Sequence, residues 1–60
     1  MIRYEVRRKV KYGKGFLVAG DLMTFEEAKL RCDNSKESNA GHGEFYVVKI
    51  TIETETVYVR

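Results

Sequence analysis

Two side chains in this sequence have the chemistry of a nucleophile or a soft metal ligand. They are Cys32, the only cysteine, and His42, the only histidine. They stand ten positions apart in "RCDNSKESNAGHGEF". A zinc centre takes about four ligands in a tetrahedral array, so this pair would need two carboxylates with no recognisable spacing. A Cys–His nucleophilic pair needs a third group to orient the base, and an oxyanion pocket. Neither set can be assembled from the spacing here. We therefore expect Cys32 to be a buried structural thiol, since a free cysteine packs as a small hydrophobe. His42, between two glycines in "AGHGE", reads as a loop residue. No catalytic residue, metal site or cofactor is expected.

"YGKG" at 12–15 is the one glycine-rich stretch that suggests a phosphate cradle. It lacks the longer Walker spacing and the following Ser or Thr, so a turn between strands is the better reading.

The elements that would position these residues follow from periodicity. "IRYEVRRKVKY" alternates: Ile2, Tyr4, Val6, Val10 and Tyr12 on one face, Arg3, Glu5, Arg7, Lys9 and Lys11 on the other. Arg8 alone breaks the apolar register. Period two predicts a half-buried strand. A three-residue "GKG" loop closed by Gly15 then pairs Tyr12 with Phe16 and Val10 with Val18 on the core face. In "GDLMTFEEAK", Thr24 and Glu27 have the spacing of a capping box and predict a helix start. Phe25, Ala28 and Cys32 fall on one narrow helical stripe, while Leu30 falls among Glu26, Asp33 and Glu37. The helix should fray near "DNSKES", whose Asp, Asn and Ser bond local backbone. "FYVVKITIETETVYV" is too long for one strand and changes phase. Tyr46, Val48, Ile50 and Ile52 share one register, Val57 and Val59 the other; a four-residue loop around Thr54 and Glu55 would pair Ile52 with Val57. The expected fold is α+β: an antiparallel sheet of about four strands, ββαββ, with one helix packed on one face.

That fold leaves the other sheet face open. By the alternation it carries Arg3, Arg7, Lys9 and Lys11, joined by Phe45, Val47, Lys49 and Tyr58. Basic groups beside exposed aromatics suit single-stranded nucleic acid. They also suit a protein interface, which we prefer to nucleic acid. The plain alternative is a solvated face, with Glu53 and Glu55 answering the basic strand across the sheet. "GEFYVVKI" resembles the aromatic RNA-binding strand of an RRM, but no basic residue precedes Gly43, and Tyr46 stands where a small residue belongs.

Sixty residues make one small domain (1–60) with no room for a deep cleft beside a core. A lone cysteine excludes an internal disulfide framework and favours a reducing, cytoplasmic setting. With its first ten residues charged throughout, no signal peptide is expected, and no apolar run is long enough to span a membrane as a helix. The chain starts with Met and shows no tag, and we read it as a complete small protein. The net charge of +2 is uneven: residues 1–15 hold six basic groups and one acid, residues 16–60 five and eight. A basic end and an acidic remainder imply an anionic partner, or pairing of the two parts.

The order hairpin, capped "TFEEAK" helix, "EFYVVKI" strand over residues 2–52 resembles short phage-encoded accessory proteins, some of which are host-takeover inhibitors. The likeness is one of architecture; no motif carries a functional residue across. It implies a protein that binds and blocks a host enzyme or defence complex in the host cytoplasm; for want of any acid–base or metal constellation, an enzyme is not expected. A second likeness, to the sheet-plus-helix DNA-binding modules of phage integrases, supports a nucleic-acid-binding alternative. There the sheet precedes the helix, whereas here a strand follows it. Sheet edges are exposed in so small a fold and offer a route to a homodimer or to strand addition on a target.

Overall fold

The computed structural model describes residues 1–60. Its elements run β1 Arg3–Arg8, β2 Phe16–Leu22, α1 Phe25–Ser38, β3 Phe45–Ile50 and β4 Thr54–Val59. The strands form one antiparallel sheet in the order β2-β1-β3-β4. The helix packs on one face, mainly over the central pair β1 and β3. The ββαββ α+β architecture is as the sequence predicts.

The β1–β3 pairing decides which side chains are buried. Val6 stands opposite Val47, and Arg8 opposite Phe45. Cross-strand partners share a face, so Val47 and Phe45 join Val6 beneath the helix. Val47 is 0% and Phe45 2% exposed; both belong to the core with Val6, Leu22, Ala28 and Cys32. This corrects the expected phase of β3. "FYVVKI" is apolar in both registers, so alternation alone gives no answer, and the partner strand chooses. Val48, on the opposite face, is also buried, at 1% exposed. Full burial of one such side chain contributes ~1.5–3 kcal/mol.

Three further boundaries differ from the sequence reading. β1 ends at Arg8 and pairs it with Phe16, so the connection spans residues 9–15 instead of three. Val10 and Tyr12 lie outside the core, because nothing on the helix reaches that far to cover them. Gly15 does take positive φ, at 91°, and a Cβ there would run into the Tyr46 hydroxyl. At the other hairpin Ile50 pairs with Thr54, so the turn is residues 51–53, and Ile52 sits fully exposed on its tip. A register shift between Val47 and Val48 absorbs the phase change in β4 without a later loop.

The helix also continues to Ser38 through the segment expected to fray. Thr24 Oγ1 accepts from the Glu27 N–H at 3.2 Å, the forward half of the predicted capping box. Downstream, two side chains of this segment tie the helix to its surroundings instead of to its own backbone. Asp33 accepts from Tyr58, and Lys36 Nζ donates to the Gly43 carbonyl. The end is closed by a paired reversal: Gly41 N–H to Lys36 O at 2.9 Å, and Ala40 N–H to Glu37 O at 3.0 Å. This is a Schellman motif, with Ala40 in the left-handed position at φ 55°. Phe25 is wedged edge-on between the rings of Tyr4 and Tyr58, with centroids 6.1 and 6.2 Å away. No helix is long and apolar enough to cross a membrane.

Candidate functional site

The side chains expected to share one open face are dispersed. Arg3 and Arg7 do lie on the uncovered side, but both are engaged. Arg7 Nη2 is 2.6 Å from Glu5 Oε1, and Arg3 Nε is 3.9 Å from Asp21. Lys9 and Lys11 leave the strand and stand in the 9–15 loop. Phe45, Val47, Lys49 and Tyr58 face the helix side: Lys49 is opposite Tyr4, and Tyr58 opposite Val47. The single basic-aromatic sheet face is therefore replaced by two separate features, a loop and a groove.

The loop is basic and exposed. It holds Lys9, Lys11 and Lys14 with no acid, and Lys11 Nζ lies 5.7 Å from the centroid of the outward Tyr12 ring. Its base is fixed at both ends, the Lys9 N–H donating to the Glu44 carbonyl at 2.8 Å. The Lys14 carbonyl accepts from Tyr46 Oη at 2.8 Å and from Arg7 Nη1 at 3.3 Å.

The groove lies between β2 and α1 and arises because the helix leaves β2 largely uncovered. Phe16, Leu17 and Val18 are consecutive and exposed on this edge strand, Phe16 at 65%. β2 carries two register shifts against β1, one of them at Val18. Bulges of this kind interrupt the free edge, so a long added strand is disfavoured and the side chains become the available contact. Phe16, Val18 and Phe45 floor an open cleft of about 430 Å³, and Arg8, Arg31 and Asn34 are among the groups along its walls. Arg8 stands in the register row Phe16–Arg8–Phe45, with its guanidinium 5.6 Å from the Phe45 centroid. Neither Arg8 nor Arg31 belongs to any of the ion pairs, and no carboxylate lines the cleft.

The groove was legible in one respect. Arg8 is the residue that breaks the β1 alternation, and a charge on a core-facing register marks a place where the core is open. Phe16 and Val18 were expected on the core face but are exposed, because β1 ends before the residues expected to pair with them, and Leu17 and Arg31 were not singled out. The signal in "FLVAGDL" is an apolar run without alternation, which on an edge strand leaves apolar groups on both faces.

Cys32 is fully buried under the sheet, and burial, followed by the neighbouring Asp33 charge, pushes its thiol above the ordinary value. It is held as the unreactive thiol. His42 is exposed, its N–H closing a turn onto Asn39 O at 2.9 Å. No three His, Cys, Asp or Glu side chains gather in metal-binding geometry. The one titratable cluster is Asp33, Tyr58 and Arg60. The Tyr58 hydrogen bond, then the Arg60 guanidinium at 2.9 Å, holds the Asp33 carboxyl below its ordinary value. The same hydrogen bond raises Tyr58, and Asp33 raises Arg60. This cluster braces β4 against the helix.

Comparison with family models, curated proteins and solved structures finds no match to the chain.

Proposed function

We propose that this chain is not an enzyme and acts by binding another protein, through the exposed apolar edge of β2 and the groove beside it. The observation that carries the reading is Phe16 and Val18, exposed beside the groove on a strand the helix leaves uncovered, with Leu17 exposed on the opposite face of the same strand. Contiguous exposed apolar side chains rimmed by polar groups mark interaction surfaces. An aromatic next to guanidinium groups is the composition of interface anchors. The resemblance to short phage-encoded inhibitors adds a consequence: occupation of a host enzyme or defence complex blocks it in the host cytoplasm.

A second reading rests on the loop. Lys9, Lys11 and Lys14 surround an exposed tyrosine, a combination that contacts phosphates and stacks a base. The two readings use different residues, so one experiment separates them. Tagged protein is used to capture partners from bacterial lysate with and without nuclease, beside Phe16→Ser and a Lys9→Gln/Lys11→Gln variant. A nuclease-resistant protein lost with Phe16→Ser supports the first reading. A nuclease-sensitive partner lost with the lysine variant overturns it in favour of the second.

A further inference from the structure

The groove also specifies what kind of segment it takes. We infer that it receives an acidic segment of the partner carrying a large apolar side chain, which sits on Phe16 and Val18 while flanking carboxylates meet Arg8 and Arg31. This rests on the protein-binding reading above and gives the partner's chemistry.

The argument is charge complementarity in a defined geometry. Seven of the chain's eleven basic residues stand outside its ion pairs, the four paired ones being Arg3, Arg7, Lys29 and Arg60. Of the seven, Arg8 and Arg31 line the groove, from the sheet and from the helix respectively. Between them lies an apolar floor, and no acid of the chain answers either one. Arg8 packs close to the chain: its guanidinium carbon lies 5.6 Å from the Phe45 ring centroid, and it passes so near Gly43 that a Cβ there would come within 2.9 Å of its Nε. A guanidinium over an aromatic face can keep its hydrogen-bonding edge free for a carboxylate, which it binds in bidentate fashion. Asn34 supplies a further polar group on the helix wall. An all-apolar ligand would leave two charged groups desolvated and unpaired. One segment of this chain has the same acidic-apolar character: Ile52 on its turn, followed by Glu53 and Glu55. Head-to-tail docking of a second copy is thus a competing occupant that the test must exclude.

The probe is a short labelled peptide holding one leucine between glutamates, with its glutamine counterpart, its lysine counterpart and a single-stranded DNA oligonucleotide. Binding to the full chain is followed by fluorescence anisotropy and by amide NMR shifts. The glutamate peptide should shift β2 and the facing turns of α1, and bind at least tenfold more tightly than the glutamine peptide. Arg31→Glu, at an exposed helix position, should lose the glutamate peptide and gain the lysine one, with an unchanged melting temperature. Equal binding of the glutamate and glutamine peptides, shifts elsewhere on the molecule, or tighter binding of the oligonucleotide at the same residues would overturn the assignment. So would concentration-dependent self-association abolished by Ile52→Ser. If Phe16→Ser still releases the captured protein while Arg31→Glu does not, the protein-binding reading stands and the acidic specificity falls.

Discussion

The hydroxyl of Tyr58 donates to Oδ1 of Asp33 at 2.7 Å, joining the last strand to the middle of the helix. Asp33 is depressed in the folded chain by this bond first and by Arg60 next. Its contribution to stability is therefore present above the unfolded aspartate value, ~3.9, and is lost as pH falls through the lower folded value. Tyr58 is raised, so its contribution holds below the ordinary tyrosine value, ~10, and is lost as pH rises through the folded one. Tyr58→Phe should move the Asp33 carboxyl back up toward its ordinary value. A carbon-detected NMR titration of the Asp33 side chain checks this; an unmoved midpoint would show that Arg60 alone sets it.

The helix cap gives a second expectation. Thr24→Ala removes the acceptor of the Glu27 N–H and should cost ~1 kcal/mol. For a domain of this size that lowers the thermal midpoint by ~4–8 °C. Calorimetry of the two proteins decides it, and an unchanged midpoint would mean that water serves the N–H equally well.

At the other end of the helix the sign reverses. Ala40 holds φ 55° at the position where glycine is favoured. A left-handed non-glycine residue costs ~1–2 kcal/mol, partly offset by the extra freedom glycine adds to the unfolded chain. Ala40→Gly should thus raise stability by ~0.5–1 kcal/mol. Urea unfolding measures it, and a loss of stability would contradict the motif.

Cys32 is buried against Ala28, Phe25 and the sheet. Cys32→Ser places a hydroxyl in that space and should cost ~1–3 kcal/mol, while the folded fraction keeps its binding. Full stability with lost binding would make the thiol part of a site.

These elements separate what the sequence encodes locally from what it does not. Thr24, the Cys32 stripe and the positive φ of Gly15 are local or single-helix properties, and each is readable from neighbouring residues. The face of β3 is not local. Phe45/Val47 and Tyr46/Val48 are both apolar alternations, and only the Val6–Val47 pairing selects between them. The end of β1 is not local either, because Lys9, Val10 and Lys11 continue the alternation beyond the reach of the helix. Both errors fed the expected site. With Phe45 and Val47 in the core, their truncation reports on folding instead of binding. The groove is a property of the helix position relative to β2, and the irregular Arg8 and the unalternating "FLVAGDL" were its only signs in the sequence.

Binding of the captured partner, measured across salt concentrations, tests the central claim most directly, with the wild type compared to Phe16→Ala and Lys9→Gln/Lys11→Gln. The account predicts that Phe16→Ala weakens equilibrium affinity at least tenfold, about 1.4 kcal/mol, at every salt concentration. The lysine pair should change mainly the association rate. The contradicting result is an affinity indifferent to Phe16 that falls steeply with salt, its slope flattened by about one unit for each lysine removed. That outcome would move the function from the β2 groove to the basic loop and from a protein partner to a nucleic acid.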